Sequence, residues 1–156
     1  MSVAGMAQDE DINQTDSNGK KHGKWVGYHD SGDVRYIGTF EHGVPVGKFA
    51  YYYDGTGIVR MVMEYRDAST VYATAFYELE GYVKMAEGLY IDQMKDSVWT
   101  FYDSRGILSS RETFSENKLN GERVVYYLDG SVYELSTWQD SIMHGTYVTY
   151  YENGQE

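Results

Sequence analysis

The stretch GERVVYYLDGSVYELSTW, residues 121–138, indicates a strand, a tight turn at Asp129-Gly130 and a second strand that closes on a large aromatic residue. Asp-Gly between two runs of β-branched and aromatic residues is typical of a β-hairpin, because these residues tolerate the positive φ of two-residue type I′ turns. The same pattern recurs along most of the chain. The repeat therefore determines the architecture more firmly than any single motif does.

Two independent sets of residues keep a common period. The closing aromatic residues are spaced by 25, 25, 24 and 24 positions, and they are Phe40, Tyr65, Tyr90, Phe114 and Trp138. The turn glycines are spaced by 25, 24, 25, 24 and 24 positions, and they are Gly32, Gly57, Gly81, Gly106, Gly130 and Gly154. We count five full units and a sixth that stops after its first strand. The sequence predicts an all-β fold, a meander of antiparallel β-hairpins of about 24 residues each, arranged as an elongated twisted sheet or solenoid of about eleven strands.

Composition narrows the classes of partner. The 156 residues include 17 Tyr, 17 Gly and 1 Pro, which suits short strands joined by turns. A formal net charge of -11 argues against nucleic acid and against anionic membrane surfaces, since both attract Lys and Arg. We expect a neutral or basic partner. The absence of Cys excludes disulfides and thiolate metal sites and is compatible with any redox compartment.

Residues 1–17 differ from the rest of the chain. They contain four acids and no Lys or Arg, and we expect a flexible acidic leader before a repeat domain over residues 18–156. Gly5-Met6-Ala7 has the small residues of a signal-peptidase site, but the basic and apolar segments that should precede it are missing. An ordinary disordered N-terminus and a trimmed secretory signal both remain open. We expect a periplasmic or secreted protein, with a cytoplasmic one as the alternative, and no membrane insertion, because no run approaches about 20 apolar residues.

Period-two alternation divides the first strand of each unit into two faces. One face is nearly uniform, with a small residue beside a tyrosine in each unit: Val26, Ala50, Ala75, Thr100, Val124 and Val148, then Tyr28, Tyr52, Tyr77, Tyr102, Tyr126 and Tyr150. The opposite face varies from unit to unit. We interpret the uniform face as a packing ladder and the varied face as a contact surface, while a two-sided core remains the alternative. The predicted partner-binding residues are Trp25, Tyr51, Tyr53, Trp99, Phe101, Tyr127 and Tyr147.

Several short segments resemble a known repeat. They are NGKKHGKW at 18–25, FEHG at 40–43 with GKF at 47–49, Gly121 with YYLDG at 126–130, and HG at 144–145 with YYENG at 150–154. These units resemble MORN-type repeats in their bacterial variant form, found in proteins labelled YwqK-family antitoxins and in envelope proteins of Bacteroidetes-like bacteria. The resemblance covers about residues 18–156. It implies scaffolding or binding and supplies no common catalytic residues.

Unit three departs from the pattern of this family. Ala68, Ser69 and Tyr72 stand where turn glycines would be, so we expect its hairpin link to differ from the others.

No catalytic or metal-binding constellation emerges from the sequence. Dinucleotide-binding and phosphate-loop spacings are absent, and no Ser, His and Asp set can be assembled. His22 and His144 each precede a glycine at the same place in their units, which favours turn positions over metal ligation. The turn acids lie about one period apart, whereas a calcium loop gathers its oxygens in one short segment; they are Asp30, Asp54, Asp103 and Asp129. We expect no enzyme, no metal and no cofactor.

Three functions remain open. The favoured one is a non-catalytic scaffold that binds another protein through an aromatic, acidic β surface. The second is a module that binds cell-wall glycan in the bacterial envelope, because aromatic rings along a sheet can stack on sugars. The third is an antitoxin-like neutraliser of a basic toxin. The incomplete sixth unit would leave an open edge, so we expect that the natural protein continues or that this edge pairs with a partner or a second copy.

Overall fold

In a computed structural model, residues 11–155 are described and form twelve strands. The candidate cleavage site at Gly5-Met6-Ala7 lies outside the described residues. The strands are β1 Gln14–Thr15, β2 Lys21–Tyr28, β3 Val34–Glu41, β4 Val44–Tyr52, β5 Val59–Tyr65, β6 Thr70–Phe76, β7 Lys84–Ile91, β8 Met94–Tyr102, β9 Leu108–Ser115, β10 Lys118–Tyr126, β11 Val132–Gln139 and β12 Ile142–Thr149.

All twelve strands belong to one sheet, in which they lie in chain order from β1 to β12. Every neighbouring pair is antiparallel, as expected where consecutive strands are joined by short turns. Within residues 11–155 the first and last strands do not pair, so the sheet is not closed. The predicted all-β hairpin meander is confirmed. The described part of the chain offers no helix with the length and hydropathy of a membrane span.

The sheet begins earlier than the sequence predicted. Gln14 and Thr15 pair with His22 and Lys21, and the Asp16 carboxylate accepts hydrogen bonds from the Asn18 and Lys20 amides at 2.8 and 3.0 Å. The predicted flexible leader of residues 1–17 is therefore wrong for its last residues, because a carboxylate-capped turn folds them back onto β2. This added strand raises the count from about eleven to twelve.

Two kinds of turn connect most of the strands. In four of the links between units both central residues have positive φ, the geometry of a type I′ turn: His42-Gly43, Asp92-Gln93, Glu116-Asn117 and Asp140-Ser141. The turns with the periodic glycines are longer. In unit five the Gly130 amide donates to the Tyr127 carbonyl at 3.0 Å and the Tyr127 amide donates to the Ser131 carbonyl at 2.8 Å. The prediction of a two-residue type I′ turn at Asp129-Gly130 is therefore wrong, because only Gly130, with φ 87°, is left-handed in this longer turn.

Unit three differs from its neighbours, as predicted. The pairing of β5 with β6 has no register shift, whereas β3 and β4 carry an irregularity between Ile37 and Thr39. The link before β6 is longer, and the Asp67 carboxylate caps it by accepting from the amides of Ser69 and Thr70, each at 2.9 Å.

Because this irregularity is missing, the equivalent positions of unit three lie one residue earlier in the sequence than the repeat period predicts. We call a set of equivalent positions on one face a column. Phe76 pairs with Lys84 at the end of β6, as Tyr52 pairs with Val59 at the end of β4. The predicted places of Ala75 and Tyr77 in the uniform columns are therefore wrong. Thr74 and Phe76 occupy those columns, and a register slip of one residue moves every side chain to the other face.

The varied face of the sheet is the better packed one. It carries Trp25, Phe49, Ala73, Trp99, Arg123 and Tyr147, and we call it the aromatic face. Phe49 is 1% exposed and Trp99 is 3% exposed, and the core cluster joins Ala73, Ala86 and Trp99. The sequence-based interpretation, in which the uniform face packs and the varied face is a free contact surface, is therefore wrong about which face is buried.

Glycines in the neighbouring strands explain this burial. A Cβ at Gly38 would lie 2.2 Å from Phe49 Cδ1, and a Cβ at Gly88 would lie 2.4 Å from Trp99 Cδ2. The two rings therefore lie flat on the backbone of the preceding strand. Where the first strand has a small residue, Ala73, the paired residue is the large Met63. In these three units the residue of the column and its neighbour in the preceding strand have complementary volumes, a ring against a glycine or an alanine against a methionine.

Candidate interaction surface

Two groups of rings on the aromatic face have nearly the same geometry. Phe49 and Tyr51 have ring centroids 6.3 Å apart at an interplanar angle of 27°, and Trp99 and Phe101 have centroids 6.3 Å apart at 32°. Each group also receives an edge contact from a closing aromatic of the preceding strand. These contacts are Phe40 to Phe49 at 5.1 Å and Tyr90 to Trp99 at 4.9 Å. The repeat thus reproduces one arrangement of rings 50 residues later.

Two lysines place their ammonium groups among these rings. Lys21 Nζ lies 4.5 Å from the ring centroid of Trp25 and 4.9 Å from that of Phe40. Lys95 Nζ lies 4.6 Å from Trp99, 5.0 Å from Phe101 and 5.1 Å from Phe114. Burial lowers the pKa of Lys95. Sequence reasoning missed both lysines, although each stands four residues before a tryptophan.

The predicted contact residues on this face are exposed to very different degrees. Trp25, Tyr51 and Phe101 are half-buried, while Tyr147 is 52% exposed. Trp99 is buried, and its Nε1 donates to the Leu89 carbonyl at 3.0 Å. Its role as a contact residue is therefore corrected to a core role, since little of the ring can reach a partner.

The other two predicted residues stabilise the repeat itself. The Tyr53 hydroxyl donates to the Phe76 carbonyl at 2.9 Å, and the Tyr127 hydroxyl donates to the Tyr150 carbonyl at 2.8 Å. Tyr77 makes the same bond to Tyr102 at 2.9 Å. These half-buried tyrosines link the end of one unit to the next, and their hydroxyls are satisfied within the chain.

The aromatic face becomes polar in unit five. Arg123 occupies the column position of Trp99, and its Nη1 lies 2.6 Å from Glu134 Oε1 while its Nε lies 3.3 Å from Glu112 Oε1. Ser136, fully buried, donates to Glu134 at 3.0 Å and accepts from Trp138 Nε1 at 2.9 Å. This partly buried network is satisfied by its own members.

A cavity of about 560 Å³ opens on the aromatic face between the two lysine sites. Its described lining includes the rings of Tyr51, Tyr65 and Tyr90, with Asp92 as the one charged residue among them. Burial, followed by the neighbouring Tyr65, raises the pKa of Tyr51 to about 12, and burial raises the pKa of Tyr90. The phenols of Tyr51 and Tyr90 are therefore neutral at ordinary pH. Sequence reasoning missed Tyr65, Tyr90 and Asp92, because they come from strands and turns of different units.

Two segments of this chain match the MORN repeat variant. The matched residues are 21–42 and 143–155. The first segment contains Lys21, Trp25, Tyr36 and Phe40, and thus the whole of the first lysine site. The second contains most of β12 and the last glycine turn. No curated protein matches the chain.

Two solved structures match part of this chain at low similarity. A crystal structure of TarM has 12% sequence identity and a TM-score of 0.47, and the match covers 72% of this chain and 21% of that one. A mutant of Staphylococcus aureus TarM in complex with fondaparinux, α-GlcNAc-glycerol and UDP has 11% identity, the same coverage and a TM-score of 0.47. The chain thus spans about a fifth of the length of TarM, and a likeness this low carries no argument about function.

The residues described do not gather into a metal site. Among residues 11–155, no three His, Asp or Glu side chains lie together in a way that could hold an ion. The surface presents aromatic rings together with carboxylates. In general, aromatic rings attract both cations and apolar groups, and carboxylates attract cations.

Proposed function

We propose that this chain is a non-catalytic repeat scaffold that binds a neutral or basic protein through its aromatic face. The observation that carries the proposal is a single sheet, in residues 11–155, on whose aromatic face half-buried rings are covered only by neighbouring side chains. Partly exposed aromatic rings gathered on one face of a sheet around a cavity are typical of an interaction site. Tyrosine, tryptophan and phenylalanine supply large contact areas at low entropic cost.

The charge of the chain supports a neutral or basic partner. With 24 acids against 13 Lys and Arg, the formal net charge is -11, which attracts basic proteins and repels acidic ones. An antitoxin of the YwqK type, neutralising a basic toxin, is one form that such binding would take.

A capture experiment with matched variants tests this function. The bait is the full chain, and the surface variant is Tyr51→Ala with Phe101→Ala, which removes two half-buried rings from the aromatic face. The control is Tyr28→Ala, which removes a 52% exposed ring from the opposite face. Circular dichroism and thermal unfolding must show that all three proteins are folded.

We expect one basic or neutral protein to be captured by the bait and by the control but lost with the surface variant. The purified partner should then bind the bait in calorimetry, with an affinity that falls as salt rises. Equal capture by all three proteins would overturn the role of the aromatic face. Salt-insensitive binding to wall polysaccharide, lost with the surface variant, would replace the scaffold by a glycan-binding module.

A further inference from the structure

The two lysine sites show what the rings of this repeat accept. In each site the chain places its own ammonium group within about 5 Å of two ring centroids, and Lys95 has a third ring at a similar distance. An ammonium over aromatic faces is attracted by their negative quadrupole, and the attraction grows where water is partly excluded. The rings of the repeat thus form two cation sites, and each is occupied by a lysine of the chain itself.

The register of the strands shows where a third site lies. Lys95 pairs with the closing aromatic Tyr90, and the equivalent pairs are Pro45 with Phe40, Val71 with Tyr65, Leu119 with Phe114 and Met143 with Trp138. Neither Pro45 nor Val71 can supply an ammonium group. Both line the cavity between the two lysine sites.

The rings of that third site are retained. Tyr51 corresponds to Phe101 and Tyr65 corresponds to Phe114, the two rings that contact Lys95 at 5.0 and 5.1 Å. Phe49, 1% exposed, corresponds to Trp99 and contacts both Tyr51 and Tyr65, with centroids 6.3 and 5.3 Å apart. Tyr90 adds a further ring from β7, and Asp92 adds a carboxylate from the next turn. The cavity therefore has aromatic walls and a negative charge but no internal cation.

We propose that this cavity binds an alkylammonium group, the side chain of a lysine on a partner protein. The proposal rests on the proposed scaffold function and names the chemistry that the scaffold recognises. A volume of about 560 Å³ accommodates an apolar four-carbon stem against Pro45, Met63 and Val71 together with its charged end. The Asp92 carboxylate then faces a cation, as the charge of the whole chain favours.

A titration with two matched small probes tests the site. The probes are N-acetyl-lysine methylamide and N-acetyl-norleucine methylamide, which share a stem and differ in the ammonium group. Binding is followed by the aromatic proton shifts of the full chain at constant ionic strength. We expect the lysine probe to bind about tenfold more tightly than the norleucine probe.

Three variants locate the binding. Pro45→Lys places a lysine at the position equivalent to Lys95, and we expect it to keep the fold and abolish probe binding, because its own ammonium fills the cavity. Asp92→Asn should weaken binding of the lysine probe several-fold. Asp140→Asn changes an acid at the same place in another type I′ turn and should leave the affinity unchanged.

Each outcome decides the proposal. Equal binding of both probes would overturn it in favour of a merely apolar cavity, and binding of soluble oligosaccharide without the lysine probe would overturn it in favour of sugar stacking. Probe binding that persists in folded Pro45→Lys would also overturn it. If Pro45→Lys still captures the partner that Tyr51→Ala with Phe101→Ala loses, the lysine cavity is wrong while the scaffold function stands.

Discussion

Trp99 and Arg123 occupy the same column of the aromatic face one unit apart, and they are held in opposite ways. Trp99 lies flat on Gly88 and is 3% exposed, whereas Arg123 stands between the carboxylates of Glu112 and Glu134 at 3.3 and 2.6 Å. The backbone register is nevertheless the same, with Trp99 paired to Glu112 and Arg123 paired to Ser136. Turns and backbone hydrogen bonds thus maintain the repeat. The side chain in the column is free to change as long as its neighbours match it in volume or in charge.

The largest effect on stability should come from disturbing the packing of the Trp99 ring over Gly88. We expect Gly88→Met to destabilise the chain by roughly 3 kcal/mol, because a Cβ there would lie 2.4 Å from the Trp99 ring and would displace it from the core. Trp99→Ala should cost about as much through the cavity that it leaves. Chemical unfolding of both variants measures these losses.

The double variant sharpens this first prediction. Gly88→Met with Trp99→Ala places a methionine in the preceding strand beside an alanine in the column, the same combination of residues as Met63 and Ala73 in unit three. We therefore expect the double variant to be clearly more stable than the sum of the two single losses predicts. Strict additivity would contradict volume complementarity as the rule of the aromatic face.

A smaller effect on stability is expected from removing the cation of the Arg123 network. Arg123→Met leaves Glu112 and Glu134 without their cation at partly buried positions, and we expect a loss of about 2 kcal/mol in the free energy of unfolding. Lys118→Met, which removes a cation from an exposed ion pair with Asp140, should cost less than about 1 kcal/mol. Equal losses in the two variants would show that the Arg123 network contributes no more than a surface ion pair.

The smallest effect concerns alkaline pH. The pKa of Tyr51 is raised to about 12, first by burial, and the pKa of Tyr102 is raised to about 12, first by burial and then by Glu87. A tyrosine in the unfolded chain ionises near pH 10, so each group contributes stability that is complete below about pH 10 and is lost as pH rises toward 12. Urea unfolding at pH 9 and pH 11 should show a smaller loss for Tyr51→Phe than for the parent chain.

Lys95 changes stability with pH in the opposite direction to the two tyrosines. Burial lowers its pKa, so the unfolded chain binds more protons, and this group alone makes stability rise as pH increases toward about 10.5. Differences between variants therefore isolate the tyrosines better than the pH profile of one protein does. If Tyr51→Phe and the parent chain lose equal stability between pH 9 and pH 11, the raised pKa of Tyr51 does not contribute.

The sequence identified which residues share a face of the sheet, but it did not identify which of the two faces is packed. Alternation along a strand identifies which residues share a face, and it says nothing about which face is covered. In a single sheet, burial depends on what lies beside each side chain in the next strand. Phe49 and Trp99 are buried because Gly38 and Gly88 lie opposite them, and these glycines stand outside the periodic turn column.

The cation sites illustrate the same limit. Lys95, Phe101 and Phe114 are distant enough in sequence that only the hairpin register brings them together, and the cavity draws its rings from three different strands. The loss of one strand irregularity in unit three also moved Tyr77 by one column. A sequence pattern without register cannot detect such a shift.

The amino-acid sequence by itself determined the period, the antiparallel hairpins, their order and the departure of unit three, because turn glycines and closing aromatics act locally and recur. Only the tertiary structure decided which face is packed, which turns are type I′, and where aromatic rings surround a lysine or leave a cavity. Those features arise from side chains on neighbouring strands, and their contacts depend on the pairing of residues that are far apart in the chain.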